Sequence, residues 1–77
     1  MDWRSYIAAD PAVLVGKPVI RGTRIAVEHV LELLASGWTE QQILANYPGV
    51  SIEQIRACLG YARETVHEER VFPLATT

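Results

Sequence analysis

Trp38–Ile55, WTEQQILANYPGVSIEQI, contains two complete helix-start signals in succession. Thr39 offers a side-chain oxygen to the orphan N–H groups of a helix, and Gln42, three residues on, returns a bond to the cap. Trp38 and Ile43 flank this pair as a hydrophobic staple. The device then repeats: Ser51 is the cap, Gln54 closes the box, and Val50 and Ile55 form the staple. Each cap contributes about 1 kcal/mol. Pro48-Gly49 breaks the chain between the two helices.

Downstream, Ile52, Ile55, Leu59, Ala62 and Val66 recur at alternating three-and-four spacing, which predicts a third helix running to about Glu69, with Gly60 a weak point. This stripe either covers the domain's own core or supplies part of a dimer seam. Upstream, Val27, Val30, Leu31, Leu34 and Trp38 form another stripe, predicting a helix over Glu28 to Ser36, with Gly37 at its C-terminal cap. Before Glu28 the period falls to two. Val19–Arg21 and Arg24–Val27 read as strands joined by Gly22-Thr23, with Gly first as a type II′ turn demands. In that register Arg21 faces Arg24 on one side and Ile20 faces Ile25 on the core side. Asp10-Pro11 and Gly16-Lys17-Pro18 read as turns, with Val13–Val15 a short strand between them. The expected fold is mostly α with a short N-terminal β-hairpin: a three-helix, helix-turn-helix-like domain. It forms a single domain over 1–70, followed by a flexible C-terminal tail over 71–77 that contains Pro73.

Seventy-seven residues suffice for one small domain. A chain of this size buries about 60% of its unfolded surface, which leaves a modest core and favours a homodimer, with exchange of the N-terminal extended segment as one route. The single cysteine, Cys58, excludes an intrachain disulfide. No apolar run approaches a membrane span, and charges interrupt MDWRSYIAAD before a secretory core could form, so a cytoplasmic protein is expected.

The net charge is −2, yet Gly16–Ile25, GKPVIRGTRI, holds Lys17, Arg21 and Arg24 with no acid between them. A cationic patch on an acidic body meets an anion: nucleic acid, or a carboxylate cluster on a partner. Like charges facing each other across a hairpin are mildly destabilising, so an anion is expected to offset Arg21 and Arg24. Lys17, Arg21, Thr23 and Arg24 are the candidate contact residues.

The second and third helices also form a helix-turn-helix candidate. Ala45 is small where the two would cross, Gly49 lies in the turn, and Val50 and Ile55 point inward. The start of the third helix would offer Ser51, Glu53, Gln54, Arg56 and Ala57 to the major groove, with Ser51, Gln54 and Arg56 as candidate base readers. No enzyme activity, metal or cofactor is expected. His29 and His67 lack ligand spacing, Cys58 lacks a partner base, and Gly16-Lys17 is followed by Pro18 rather than by a phosphate loop's Ser or Thr.

Ile7…Asp10-Pro11, GKPVIRGTRI, the Ala-Ser-Gly helix end, Ile43–Pro48 and Ile52…Ile55…Leu59…Tyr61-Ala62 together resemble the small bacterial "domain of unknown function 433" family, from about Ile7 to Ala62. Ala26 departs from it, standing where the family often carries Pro. The resemblance implies an antitoxin of the VapB-like type II kind, and a neighbouring toxin that is a PIN-like ribonuclease holding Mg²⁺ in an acidic cluster. Arg21 or Arg24 would enter that cluster. The expected function is therefore neutralisation of a PIN-like nuclease toxin, with repression of its own operon through operator DNA. The alternatives are a protein-interaction module without DNA binding and a stand-alone helix-turn-helix regulator.

Overall fold

The computed structural model describes residues 2–68; the expected tail over 71–77 and Glu69, the predicted end of the third helix, lie outside them. Three helices form as the spacing predicts: α1 over Val27–Ala35, α2 over Glu40–Asn46 and α3 over Ile52–Glu68. Two short strands, β1 (Ile7–Ala8) and β2 (Val19–Ile20), pair antiparallel with Ile7 opposite Ile20 and Ala8 opposite Val19.

Both capping boxes are made. Gln42 N–H donates to Thr39 Oγ1 at 3.1 Å, and Thr39 N–H donates to Gln42 Oε1 at 2.8 Å. Gln54 N–H donates to Ser51 Oγ at 3.2 Å, and Ser51 N–H donates to Gln54 Oε1 at 2.8 Å. Four otherwise orphan donors are satisfied this way, which sets where α2 and α3 begin. At the end of α1, Trp38 N–H bonds Leu33 O and Gly37 N–H bonds Leu34 O, with Gly37 at φ +99°. This is a Schellman closure, and the left-handed backbone it needs is costly for any residue with a Cβ.

The hairpin keeps its expected register and loses its expected shape. Val19 bridges Ala26, and Ile20 N–H donates to Ile25 O at 2.9 Å. The returning strand is only that bridge, because α1 has already started at Val27. The turn closes earlier than predicted: Thr23 N–H bonds Ile20 O at 3.0 Å, and Gly22, at φ +82°, occupies its second central position, as in a type II turn. Arg21 therefore sits at the first central position of the turn and Arg24 just after it, rather than the two facing each other across a ladder. The partner on the other edge of β2 is Ile7–Ala8, which has no period-two signature because it is too short to show one.

Val13–Val15 is not a strand. Leu14–Gly16 forms a 3₁₀ turn, with Leu14 at φ +50° and Val15 at φ +57°. Left-handed backbone is unfavourable for L-residues and most so for a β-branched one. Val15 is 93% exposed there, so burial does nothing to compensate.

Ile7, Ile20, Val27, Val30, Ile43, Val50, Ile55, Ala57 and Cys58 form the core, to which every helix and both strands contribute. The α3 stripe divides: Ile55 is buried, whereas Leu59 and Val66 face solvent. Helix α3 also carries the N-terminus. The 3₁₀ turn Trp3–Ser5, capped by Asp2, packs along it. Trp3 Nε1 donates to Glu64 Oε2 at 2.6 Å, Arg4 Nη2 donates to Glu64 Oε1 at 2.6 Å, and the Trp3 and Tyr61 rings meet edge-on with centroids 5.0 Å apart. The Arg4 guanidinium lies 4.6 Å over the Trp3 ring.

Two expected outcomes follow from this corner. The hydrogen bond from Trp3, then that from Arg4, holds the Glu64 carboxyl below its ordinary 4.5. A depressed carboxylate contributes its stabilisation above the unfolded value and loses it as pH falls through the lower folded value. The Trp3 indole N–H resonance is therefore expected to hold steady from neutral pH to about 4.5 and to shift only below that. Glu64→Gln should abolish the acid transition, and an unchanged titration in that variant would contradict the assignment. The second outcome concerns Gly60, which lies inside α3 beside Trp3. A Cβ built there meets Trp3 Cβ and Cδ1 at 3.5 Å, an ordinary contact. Gly60→Ala is expected to stabilise by about 0.5–1 kcal/mol through helix propensity, read as a rise in the thermal midpoint.

Candidate functional site: a cationic cleft at the hairpin turn

The turn after β2 and the Asp10–Val13 turn enclose a cleft of about 520 Å³, lined by Ala8, Asp10, Val13, Val19 and Arg21–Arg24. Asp10 shapes its far rim by accepting Ala12 N–H at its Oδ1 (2.9 Å), while its carbonyl accepts Val13 N–H (2.8 Å). This local side-chain bond is one of the reasons Asp favours turns.

The three cations have different fates. Arg21 is anchored: its N–H donates to Tyr6 O at 2.7 Å, and its Nη2 donates to both Arg4 O and Ile7 O at 3.2 Å. Backbone carbonyls thus solvate the Arg21 guanidinium, and no carboxylate pairs with it among the described residues. Lys17 is paired with Glu28 at 2.5 Å, on α1. Both side chains are more than half exposed, so that pair contributes little to stability. Arg24 is exposed and, among the described residues, takes part in no ion pair or side-chain hydrogen bond. Thr23 spends its hydroxyl on the turn, donating to Ile20 O at 2.8 Å and accepting Ile25 N–H at 3.0 Å.

Arg21, Thr23 and Arg24 therefore share one cleft, and Lys17 does not. Lys17 lies on the rim of a separate cleft of about 270 Å³ between Pro18, Val27, Leu31 and Tyr61. The residues at the start of α3 line neither cleft. Ser51 and Gln54 are half-buried and bonded to each other in the capping box, while Arg56 is exposed. Ala57 is buried in the core rather than offered outward, and Ala45 is exposed rather than packed at a helix crossing. The first reversal follows from α3 turning its Ala57–Cys58 face onto the core, the second from α2 turning Ile43 inward.

Cys58 is a core residue. Burial pushes its thiol up to about 11, so it stays protonated at neutral pH, and the thiol is a far weaker nucleophile than the thiolate. His29 Nε2 and Tyr47 Oη share a hydrogen bond at 2.9 Å that ties α1 to the end of α2. The Arg21 anchor on the N-terminal carbonyls went unread in the sequence, where nothing marks which backbone oxygens a guanidinium will reach.

These features define a small, mostly helical domain whose short N-terminal sheet presents a cationic turn. The chain belongs to the family described as "Protein of unknown function (DUF433)", whose model matches residues 7–62. It is similar to "Uncharacterized protein y4eO" of Sinorhizobium fredii (strain NBRC 101917 / NGR234), 36% identical over 59 residues that cover 77% of this chain. The match spans only 27% of that relative's length. The fold is similar to the crystal structure of a DUF433 member from Anabaena variabilis ATCC 29413, with a TM-score of 0.76 and 32% identity. That likeness covers 82% of this chain and 62% of the other. No helix among the described residues is long and apolar enough to cross a membrane.

Proposed function

We propose that this chain is a non-enzymatic antitoxin of the VapB-like kind, which binds and neutralises a PIN-like ribonuclease by presenting Arg24 to its acidic, metal-holding cluster. The observation that carries this reading is the state of Arg24: an exposed guanidinium with its charge uncommitted, at the mouth of a cleft whose other arginine is bolted to the backbone. A fixed neighbour preorganises the turn, which lowers the ordering cost of binding. A guanidinium matches carboxylates through its planar fork of donors.

Arg24→Glu is expected to weaken binding of the co-encoded nuclease at least about tenfold, because the variant sets like charges against each other at the contact. The fold should be unchanged, since Arg24 makes no ion pair or side-chain hydrogen bond among the described residues. Titration calorimetry against the purified nuclease measures this, and an unaltered affinity would overturn the reading. Arg21→Ala is the poorer probe because it also frees the N-terminal segment.

Operator binding is a second reading, favoured by the exposed Arg56 at the start of α3. Ser51 and Gln54 would have to surrender cap bonds to read bases. Affinity for the upstream duplex that falls steeply with salt supports this reading, and a flat response removes it, leaving a protein-interaction module.

A further inference from the structure

The outward face of α3 carries a second surface. Ile52, Leu59 and Val66 stand seven residues apart, which places them on one line along the helix. Leu59 is 43% and Val66 65% exposed, and Ile52 is partly so. Arg56 and Arg63 each lie four residues after a member of that line, hence beside it on the same face. Both are exposed and, among the described residues, neither is in an ion pair; Glu64, next to Arg63, feels its charge but accepts its hydrogen bonds from Trp3 and Arg4.

We infer that this face is a docking surface for an amphipathic helix of a partner protein, with apolar residues at heptad spacing and a row of Asp or Glu alongside. The apolar line provides the burial and the arginine row selects the charge. A nucleic acid backbone would satisfy the arginines but leave Leu59 and Val66 uncovered or desolvated without gain. A second copy of this chain fits worse: antiparallel pairing across Leu59 brings Arg56 of one chain beside Arg63 of the other, which costs affinity through like-charge repulsion. No hairpin residue takes part, so this surface stands or falls separately from the Arg24 contact.

The test uses synthetic three-heptad peptides with Leu at the a and d positions and either Glu or Lys at the flanking e and g positions. Their like charges keep them monomeric alone. The Glu peptide is expected to gain helicity on binding and to shift amide resonances along residues 52–66. The Lys peptide should bind about fivefold or more weakly. Arg56→Glu with Arg63→Glu should invert that preference, and Leu59→Ser with Val66→Ser should abolish binding while the circular dichroism of the domain is retained. Equal affinity for the two peptides would overturn the inference, as would no response to the Glu peptide or binding indifferent to Leu59→Ser with Val66→Ser. Self-association in sedimentation that the Leu59→Ser, Val66→Ser pair disrupts would assign the face to a second copy instead, and a DNA duplex shifting these resonances in the peptide's place would assign it to nucleic acid.

Discussion

Ile20→Ala is expected to lower stability by about 3–4 kcal/mol, the largest single effect of any substitution considered for this domain. Ile20 is fully buried, sits at the centre of the short sheet, and is held on both sides, by Ile7 across β1 and by its N–H on Ile25 O. Truncation removes apolar contacts and leaves a cavity that a backbone pinned from two sides cannot readily collapse. Domains of this size have only a few kcal/mol to lose, so the thermal midpoint should fall by about 15–30 °C. Ile20→Val should cost about 0.5–1.5 kcal/mol and serves as the graded control. A shift for Ile20→Ala no larger than that of Ile20→Val would mean the sheet is not the keystone described. Because Arg21 and Gly22 follow directly, loss of this anchor should also weaken the proposed contact through Arg24, in proportion to the unfolded fraction.

Trp3→Ala should cost about 2–3 kcal/mol, less than a fully buried aromatic because Trp3 is only half-buried. Three interactions end together: the edge-on contact with Tyr61, the bond to Glu64, and the platform under Arg4. Trp3→Phe separates them by retaining most of the packing while deleting the donor, and should cost about 1 kcal/mol. Hydrogen exchange is the informative readout. Release of the N-terminal turn should speed exchange first at the Arg21 amide, whose acceptor is Tyr6 O, and in β2 next to it, before α1 or α2 responds. Uniform acceleration across the domain would show instead that the N-terminal turn unfolds only with the whole.

The two effects meet at Arg21. Its guanidinium bonds the carbonyls of Arg4 and Ile7, the segment that Trp3 fastens to α3, so the far end of the long helix is connected to the turn that displays Arg24. A perturbation at Trp3 should consequently reach the cationic cleft through packed structure without either residue touching the other.

The sequence by itself determined the three helices, the starts of α2 and α3 and the close of α1. Capping boxes at Thr39–Gln42 and Ser51–Gln54, and the glycine closing α1, are local devices whose partners lie within a few residues, so they are legible one-dimensionally. The Ile20–Ile25 register was legible too, since strand alternation is equally local. What only the tertiary structure decided depended on long-range choices. Whether the α3 stripe turns inward at Ile55 or outward at Leu59 is set by which other elements compete for the core. The Ile7–Ala8 strand exists only because β2 offers it an edge. The grip of Glu64 on Trp3 and Arg4 joins residues sixty and more positions apart. The same holds for the cations: composition located three charges in one stretch, but only the folded chain committed Lys17 to Glu28 and Arg21 to the backbone. Arg24 was left exposed, with no ion pair or side-chain hydrogen bond among the described residues.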